Sequence, residues 1–296
     1  MFKKELLIDK LRPLQDKELR DFKNKIDYNK EVKYRSFINR FESRLKEQTS
    51  NTLKGLEVFP YKHVQTGVDQ YIQTLILKHT IKGLQIFEHD YYWYPKIYPD
   101  IQYTTLDTLT ADKPLLMAMP FPGYLGKHPD LDKILDTCDN KNIDVHLDCA
   151  WLPSSFDIEF NFDRPCIKSF ATSLSKCYGL DWSRVGMRWQ RTEDKNDPIT
   201  YENKRGLFSN IAISIGYQYL KAFPLDYLIH KHKKNYFAMC KELWLRPSKI
   251  IHAVHSLDRS KLYGCRHVLE EAMFSKTPLL KNRITNGKNS IKYKIT

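Results

Sequence analysis

The stretch 173–186 gathers reactive side chains: Ser173, Ser175, Lys176, Asp181, Ser183 and Arg184, punctuated by Gly179 and Gly186. It follows 167–172, with Ile167, Phe170 and Ala171, which reads as a strand, so the polar cluster sits at a strand end. Arg184 comes eight residues after Lys176, past a glycine-containing turn. A lysine held out of bulk water near a fixed cation has a lowered pKa, the state that amine nucleophiles and Schiff-base lysines need. Upstream, 144–151 reads Asp-Val-His-Leu-Asp-Cys-Ala-Trp, a strand closing on the carboxylate of Asp148. Ligands of α/β sheets bind at the carboxyl ends of parallel strands. A buried carboxylate there needs a cationic partner. Taken singly, Lys176 also reads as a turn lysine, Asp148 as a loop cap and Arg184 as a structural ion-pair partner.

The elements that position these residues alternate. Residues 68–82 read as a helix with Ile72, Leu75, Ile76 and His79 on one face, Asp69 in its first turn and Gly83 as its stop. Strands are expected at 84–87, 114–119, 143–147, 167–172 and 185–189, and a helix at 129–138. This alternation predicts an α/β domain around a mostly parallel sheet. Before it, 1–58 forms a charged helical arm. Leu6, Leu7 and Leu11 precede Pro13, and Phe37, Ile38, Phe41 and Leu45 recur at helical spacing. The arm is too polar to make a core alone and must lie against another surface. After the α/β stretch at 59–206 comes a mainly helical region, 207–296. It has helices at 207–223 and 225–245, a strand at 249–254 and a basic tail from 278.

Taken together, the motifs resemble fold-type I pyridoxal-phosphate enzymes, specifically the class I/II aminotransferases. Ser173, Ser175, Lys176, Gly179, Leu180, Arg184 and Gly186 fall in the register of that family's S-x-S-K, G-L, R-x-G motif, and 148–151 parallels its D-x-A-Y strand end. The resemblance implies roles: Lys176 forms a Schiff base with the cofactor and shuttles the substrate's α-proton, Asp148 pairs with the pyridinium nitrogen, and Ser173 and Arg184 hold the phosphate. Gly67 and Val68 stand where the family places its phosphate cup. Tyr91, with Tyr92 as alternative, stands where an aromatic ring stacks on the cofactor, although the run 91–94 also reads as core or interface. Trp151 replaces the family's tyrosine; its indole donates one hydrogen bond and cannot ionise. Residues 119–124 lack the family's asparagine, and the C-terminal region is cut back. The small domain's carboxylate-binding arginine has Arg246, Arg259 and Arg266 as candidates, none in a recognisable motif. The implied protein is an aminotransferase with pyridoxal 5'-phosphate, an amino donor and a keto-acid acceptor, acting as a homodimer. Alternatives are a lyase or decarboxylase on the same cofactor, or a non-catalytic descendant that acts by binding, with nucleic acid on its basic surface as the ligand to test.

Composition sets the bounds. Of 296 residues 42% are hydrophobic and 13% aromatic, enough for a core and against wholesale disorder. No apolar run is long enough to span a membrane, and the charged N-terminus does not read as a secretory signal. The six cysteines form no C-x-x-C pair and read as reduced thiols of a cytoplasmic protein. Cys149 and Cys177, beside the motifs, read as packing. Lys and Arg number 48 against 35 Asp and Glu, a net charge of 48 − 35 = +13. The cations are dispersed, with no finger spacing and no basic-aromatic stripe, so nucleic-acid binding is not expected. His146 with Asp148, and His230 with His232, lack a third ligand at metal spacing, so no metal is expected; the 230–234 run reads as a solvated helix face.

Overall fold

The computed structural model describes residues 13–259 and 262–265. Leu6, Leu7, Leu11, Arg266 and the basic tail lie outside them. The chain begins with α1 (Lys17–Lys23), α2 (Tyr34–Glu47) and β1 (Thr52–Lys54). Next come β2 (Tyr61–Gln65), α3 (Gly67–Lys78), β3 (Gln85–Phe87), α4 (Tyr94–Ile97), β4 (Gln102–Thr104) and β5 (Leu115–Ala118). They are followed by α5 (Leu131–Lys141), β6 (Val145–Asp148), β7 (Glu159–Asn161), β8 (Ile167–Ser173), α6 (Leu174–Cys177) and β9 (Gly186–Gln190). The chain closes with α7 (Pro198–Lys204), α8 (Asn210–Ala222), α9 (Tyr227–Glu242), β10 (Leu245–Pro247), β11 (Ala253–Ser256) and β12 (Leu262–Gly264).

The central sheet has seven strands in the order β2-β9-β8-β6-β5-β3-β4. Strands β4, β3, β5, β6 and β8 are parallel; β9 runs antiparallel to both β8 and β2. Its middle strands are buried along their length, as a sheet covered on both faces requires. The expected α/β class with a mostly parallel sheet between helices is therefore observed.

Helix α2 buries Phe37, Ile38, Phe41 and Leu45, the face its spacing predicts, and packs on α8. Phe41 meets Trp189 edge-on at 5.7 Å, and the Arg40 and Arg44 guanidinium groups donate to the Leu220 carbonyl at 3.1 and 2.8 Å. The surface this arm needs thus belongs to the same chain. One apolar cluster runs from Leu14 to Cys265.

Some boundaries differ from expectation. Helix α3 ends at Lys78 rather than 82, because His79 leaves helical geometry and packs its ring 5.8 Å from that of His146. Helix α5 starts at Leu131, not 129, and runs to Lys141, where Asn142 ends it in the left-handed region. Helix α8 starts at Asn210 because the Ser209 hydroxyl accepts from the Ala212 amide. The strand expected at 249–254 starts only at Ala253. The Ser248 hydroxyl accepts from the Ile250 amide and turns the backbone there. The C-terminal region is not helical throughout: β10, β11 and β12 form an antiparallel sheet. His232 is not on a solvated face. It is buried, with its Nε2 2.8 Å from an Asp16 carboxylate oxygen. No described helix is long and apolar enough to cross a membrane.

Candidate active site

Topology brings the motif residues to one edge. Strands β3, β6 and β8 end there, before Tyr91, after Asp148 and before Lys176 respectively. Strand β2 also ends there, leading into Gly67, because it is antiparallel to β9, which starts at that edge just after Arg184. Ser173 and Gln65 both pair with Gly186. A side chain on Gly186 would lie 2.6 Å from the Thr172 carbonyl, so only glycine lets β9 leave this point beside β8.

Lys176 projects from the one-turn helix α6, with Nζ 4.6 Å from the centre of the Trp151 ring. Burial lowers the pKa of its amine; Asp181, Asp69 and Asp148 oppose that, and Arg184 adds to it. Trp151 packs its ring 5.2 Å from that of His252, at 59°. His252 is buried, accepts the Leu14 amide at Nδ1 (3.0 Å) and is held neutral, its pKa driven down to about 3 by burial and the nearby Lys176 charge. The accepting Nδ1 places the ring proton on Nε2.

Asp148 ends β6 and is 5% exposed. Its carboxylate accepts from the Ala150 amide and the Tyr94 hydroxyl, both at 2.9 Å. Burial pushes its pKa up to about 6 against these bonds. Among the described residues no lysine, arginine or histidine lies within ion-pair distance of it. Tyr91 packs edge-on against Tyr94 at 5.4 Å. Its phenol is raised above the usual range by burial and by Asp148, with Asp69 and Arg184 also acting on it. Asp90, just before it, is fully enclosed and accepts from the Tyr91 and Ala118 amides. Burial pushes Asp90 up to about 8.

Arg184 reaches back to the start of α3. Its guanidinium donates to the Asp69 carboxylate, and a Cβ on Gly67 would lie 3.4–3.5 Å from three of its atoms. Gly67 adopts φ +64, open to glycine without strain. The Thr66 side chain caps none of the first amides of α3. Val68 packs in one apolar cluster with Tyr94 and Tyr91. Ser173 is buried at the end of β8, and its hydroxyl makes no hydrogen bond to Lys176, Asp148 or Arg184.

The structure thus brings Lys176, Asp148, Trp151, Tyr91, Arg184 and Gly67 together. Sequence reasoning missed three neighbours. Tyr94 was legible only as part of an aromatic run. Asp69 read as an ordinary first-turn acid. His252 comes from a segment with no motif. Cys149 and Cys177 are buried, with burial raising both thiols. Among the described residues no His, Cys, Asp and Glu cluster could hold a metal. A cavity of about 340 Å³ lined by Tyr124, Lys127, Asp157, Lys249 and His255 shares no residue with this site.

No protein-family model matches the chain, and no curated protein does. Solved structures do. The alanine aminotransferase of Pyrococcus furiosus aligns with 80% of this chain and 70% of its own at 15% identity, TM-score 0.55. The tyrosine aminotransferase of Leishmania infantum aligns with 83% and 79% at 11% identity, TM-score 0.59. The pyridoxal-phosphate-bound C-S lyase of Staphylococcus hominis aligns with 80% and 70% at 12% identity, TM-score 0.57. The protein therefore has the fold of the fold-type I pyridoxal-phosphate-dependent aminotransferases, at 11–15% sequence identity to these structures.

Proposed function

We propose that the chain is a pyridoxal-phosphate-dependent enzyme that transfers an amino group from an amino acid or amine to a keto acid, with Lys176 as its reacting amine. The observation that carries this reading is the convergence of Lys176, Asp148 and Arg184 on one sheet edge, close enough that the Asp148 and Arg184 charges act on the lysine. Two features support the fit of the cofactor. Asp148 is a buried carboxylate whose donors among the described residues are neutral, so a protonated ring nitrogen would supply a cation for it. Gly67 leaves open a cradle between the α3 amides and the Arg184 guanidinium that a Cβ would fill, as a phosphate needs.

When bound, the cofactor supplies an electron sink conjugated to the substrate's α-carbon. The chain's residues do the rest. Lys176 would hold the aldehyde carbon through Nζ and, once released, move the α-proton; burial favours its uncharged form, the form able to do both. Asp148, fixed by Tyr94 and Ala150, would keep the ring nitrogen protonated. Arg184 with the Gly67 and Val68 amides would bind the phosphate, and Ser173 would add a hydroxyl from the end of β8. Tyr91 would cover one ring face, and Trp151 would donate its indole N–H.

The test is a screen of amino acids with a keto-acid acceptor, following formation of the new amino acid, with Lys176→Ala as control. Acceptor-dependent product from the unmodified chain alone supports transfer. Since a C-S lyase shares the fold, ammonia release without an acceptor would assign elimination to the same site.

A further inference from the structure

The cup at the start of α3 already holds an anion from the chain itself. Asp69 is the third residue of α3, where its charge favours the helix end, and its carboxylate is the partner of Arg184. Both side chains are partly open to solvent, 43% for Arg184 and 37% for Asp69. The guanidinium Nη2 thus donates to Asp69 and is also the atom nearest the space beside Gly67. Tyr91 feels both charges and so lies within the same field.

We propose that Asp69 is a specificity-determining residue of this cup: an internal competitor that occupies Arg184 and weakens the site for dianionic phosphate esters relative to phosphate-free ligands. The assignment deepens the function proposed above and rests on that reading for the identity of the natural ligand. A phosphate entering the cradle must exchange the Asp69 carboxylate for its own oxygens on Arg184. It must also sit beside a fixed negative charge. Coulomb repulsion from the Asp69 carboxylate offsets part of the attraction that Arg184 offers a dianion a few ångströms away. Asp69 thereby lowers the cup's affinity for phosphate below what Arg184 and the helix end alone would give, while a ligand without phosphate leaves the Asp69–Arg184 pair intact.

The experiment is calorimetric titration of the unmodified chain, Asp69→Asn and Asp69→Ala with inorganic phosphate at fixed ionic strength, with Arg184→Gln as the variant lacking the cup's cation. Both Asp69 variants should bind inorganic phosphate at least about tenfold more tightly than the unmodified chain, and Arg184→Gln should bind it more weakly. Equal or weaker phosphate binding in both Asp69 variants overturns the proposal. A parallel arm exposes each protein to pyridoxal and to pyridoxal 5'-phosphate, then to borohydride. Labelling of Lys176 by the phosphate ester should rise in both Asp69 variants by a larger factor than labelling by pyridoxal, which reports the change that Asp69 alone makes to the amine. If phosphate binding tightens but neither aldehyde labels Lys176, the cofactor reading fails and the assignment of Asp69 stands. If both aldehydes label Lys176 but phosphate binding does not tighten, the reverse holds.

Discussion

The Lys176 ammonium lies over the face of Trp151, 4.6 Å from the ring centre. Trp151 in turn packs on His252, and His252 accepts the Leu14 amide. The C-terminal region thus reaches Lys176 through one buried histidine, which also holds the N-terminal segment by the Leu14 amide.

The indole face stabilises the charged amine. Replacing Trp151 by Leu should lower the pKa of Lys176 further, because a cation–π contact of about 0.7 kcal/mol with the charged amine is lost. Competitive acetylation of Lys176 against pH, read by mass spectrometry without cofactor, measures this. An unchanged or raised value would remove the contact from the account.

His252→Phe keeps a ring against Trp151 but strands the Leu14 amide. At pH 7 it should cost about 1–3 kcal/mol, the penalty of a buried unpaired donor. The cost should shrink on acidification. Unmodified His252 titrates at about 3 when folded and near the ordinary value of about 6.5 when unfolded. The unfolded chain therefore takes up a proton first, and stability from the neutral ring is lost as pH falls below about 6.5. Urea unfolding at pH 7 and pH 4 checks both statements.

Asp90 titrates with the opposite sign. Its folded pKa of about 8 lies far above that of an unfolded aspartate, so the folded state keeps the proton longer. Stability should fall as pH rises from about 4 to about 8, with a slope approaching about 1.4 kcal/mol per pH unit. Asp90→Asn cannot titrate, so its stability relative to the unmodified chain should climb between pH 5 and pH 8. A pH-independent difference would place Asp90 in a more solvated setting.

Gly67→Ala should destabilise the fold by about 1–2 kcal/mol, because φ +64 is strained for any residue with a Cβ. It should also weaken inorganic phosphate binding, because the new methyl group fills the cradle against Arg184. Thermal unfolding and phosphate titration of the same sample separate the two effects.

What could be read from the sequence followed from local chemistry. Lys176, Arg184 and Asp148 declared themselves by spacing within two short stretches that lead from strands β6 and β8. The parallel sheet declared itself through apolar runs such as 115–118. Strand β2 did not, because Tyr61, Lys62 and His63 carry polar groups and only its last residues are buried throughout. Its pairing with β9 is decided by long-range contact rather than local pattern. His252 and Tyr94 were hidden for the same reason: their partners Leu14 and Asp148 lie 238 and 54 residues away. The Asp69–Arg184 pair spans 115 residues, so a first-turn acid gave no sign of its partner.

The central claim is that Lys176 is the cofactor lysine, and borohydride reduction after incubation with pyridoxal 5'-phosphate tests it most directly. The account predicts a visible absorbance band that reduction abolishes, and one phosphopyridoxyl adduct on the peptide containing Lys176, both lost in Lys176→Ala. No band and no adduct on Lys176, or an equal adduct spread over surface lysines, would contradict it.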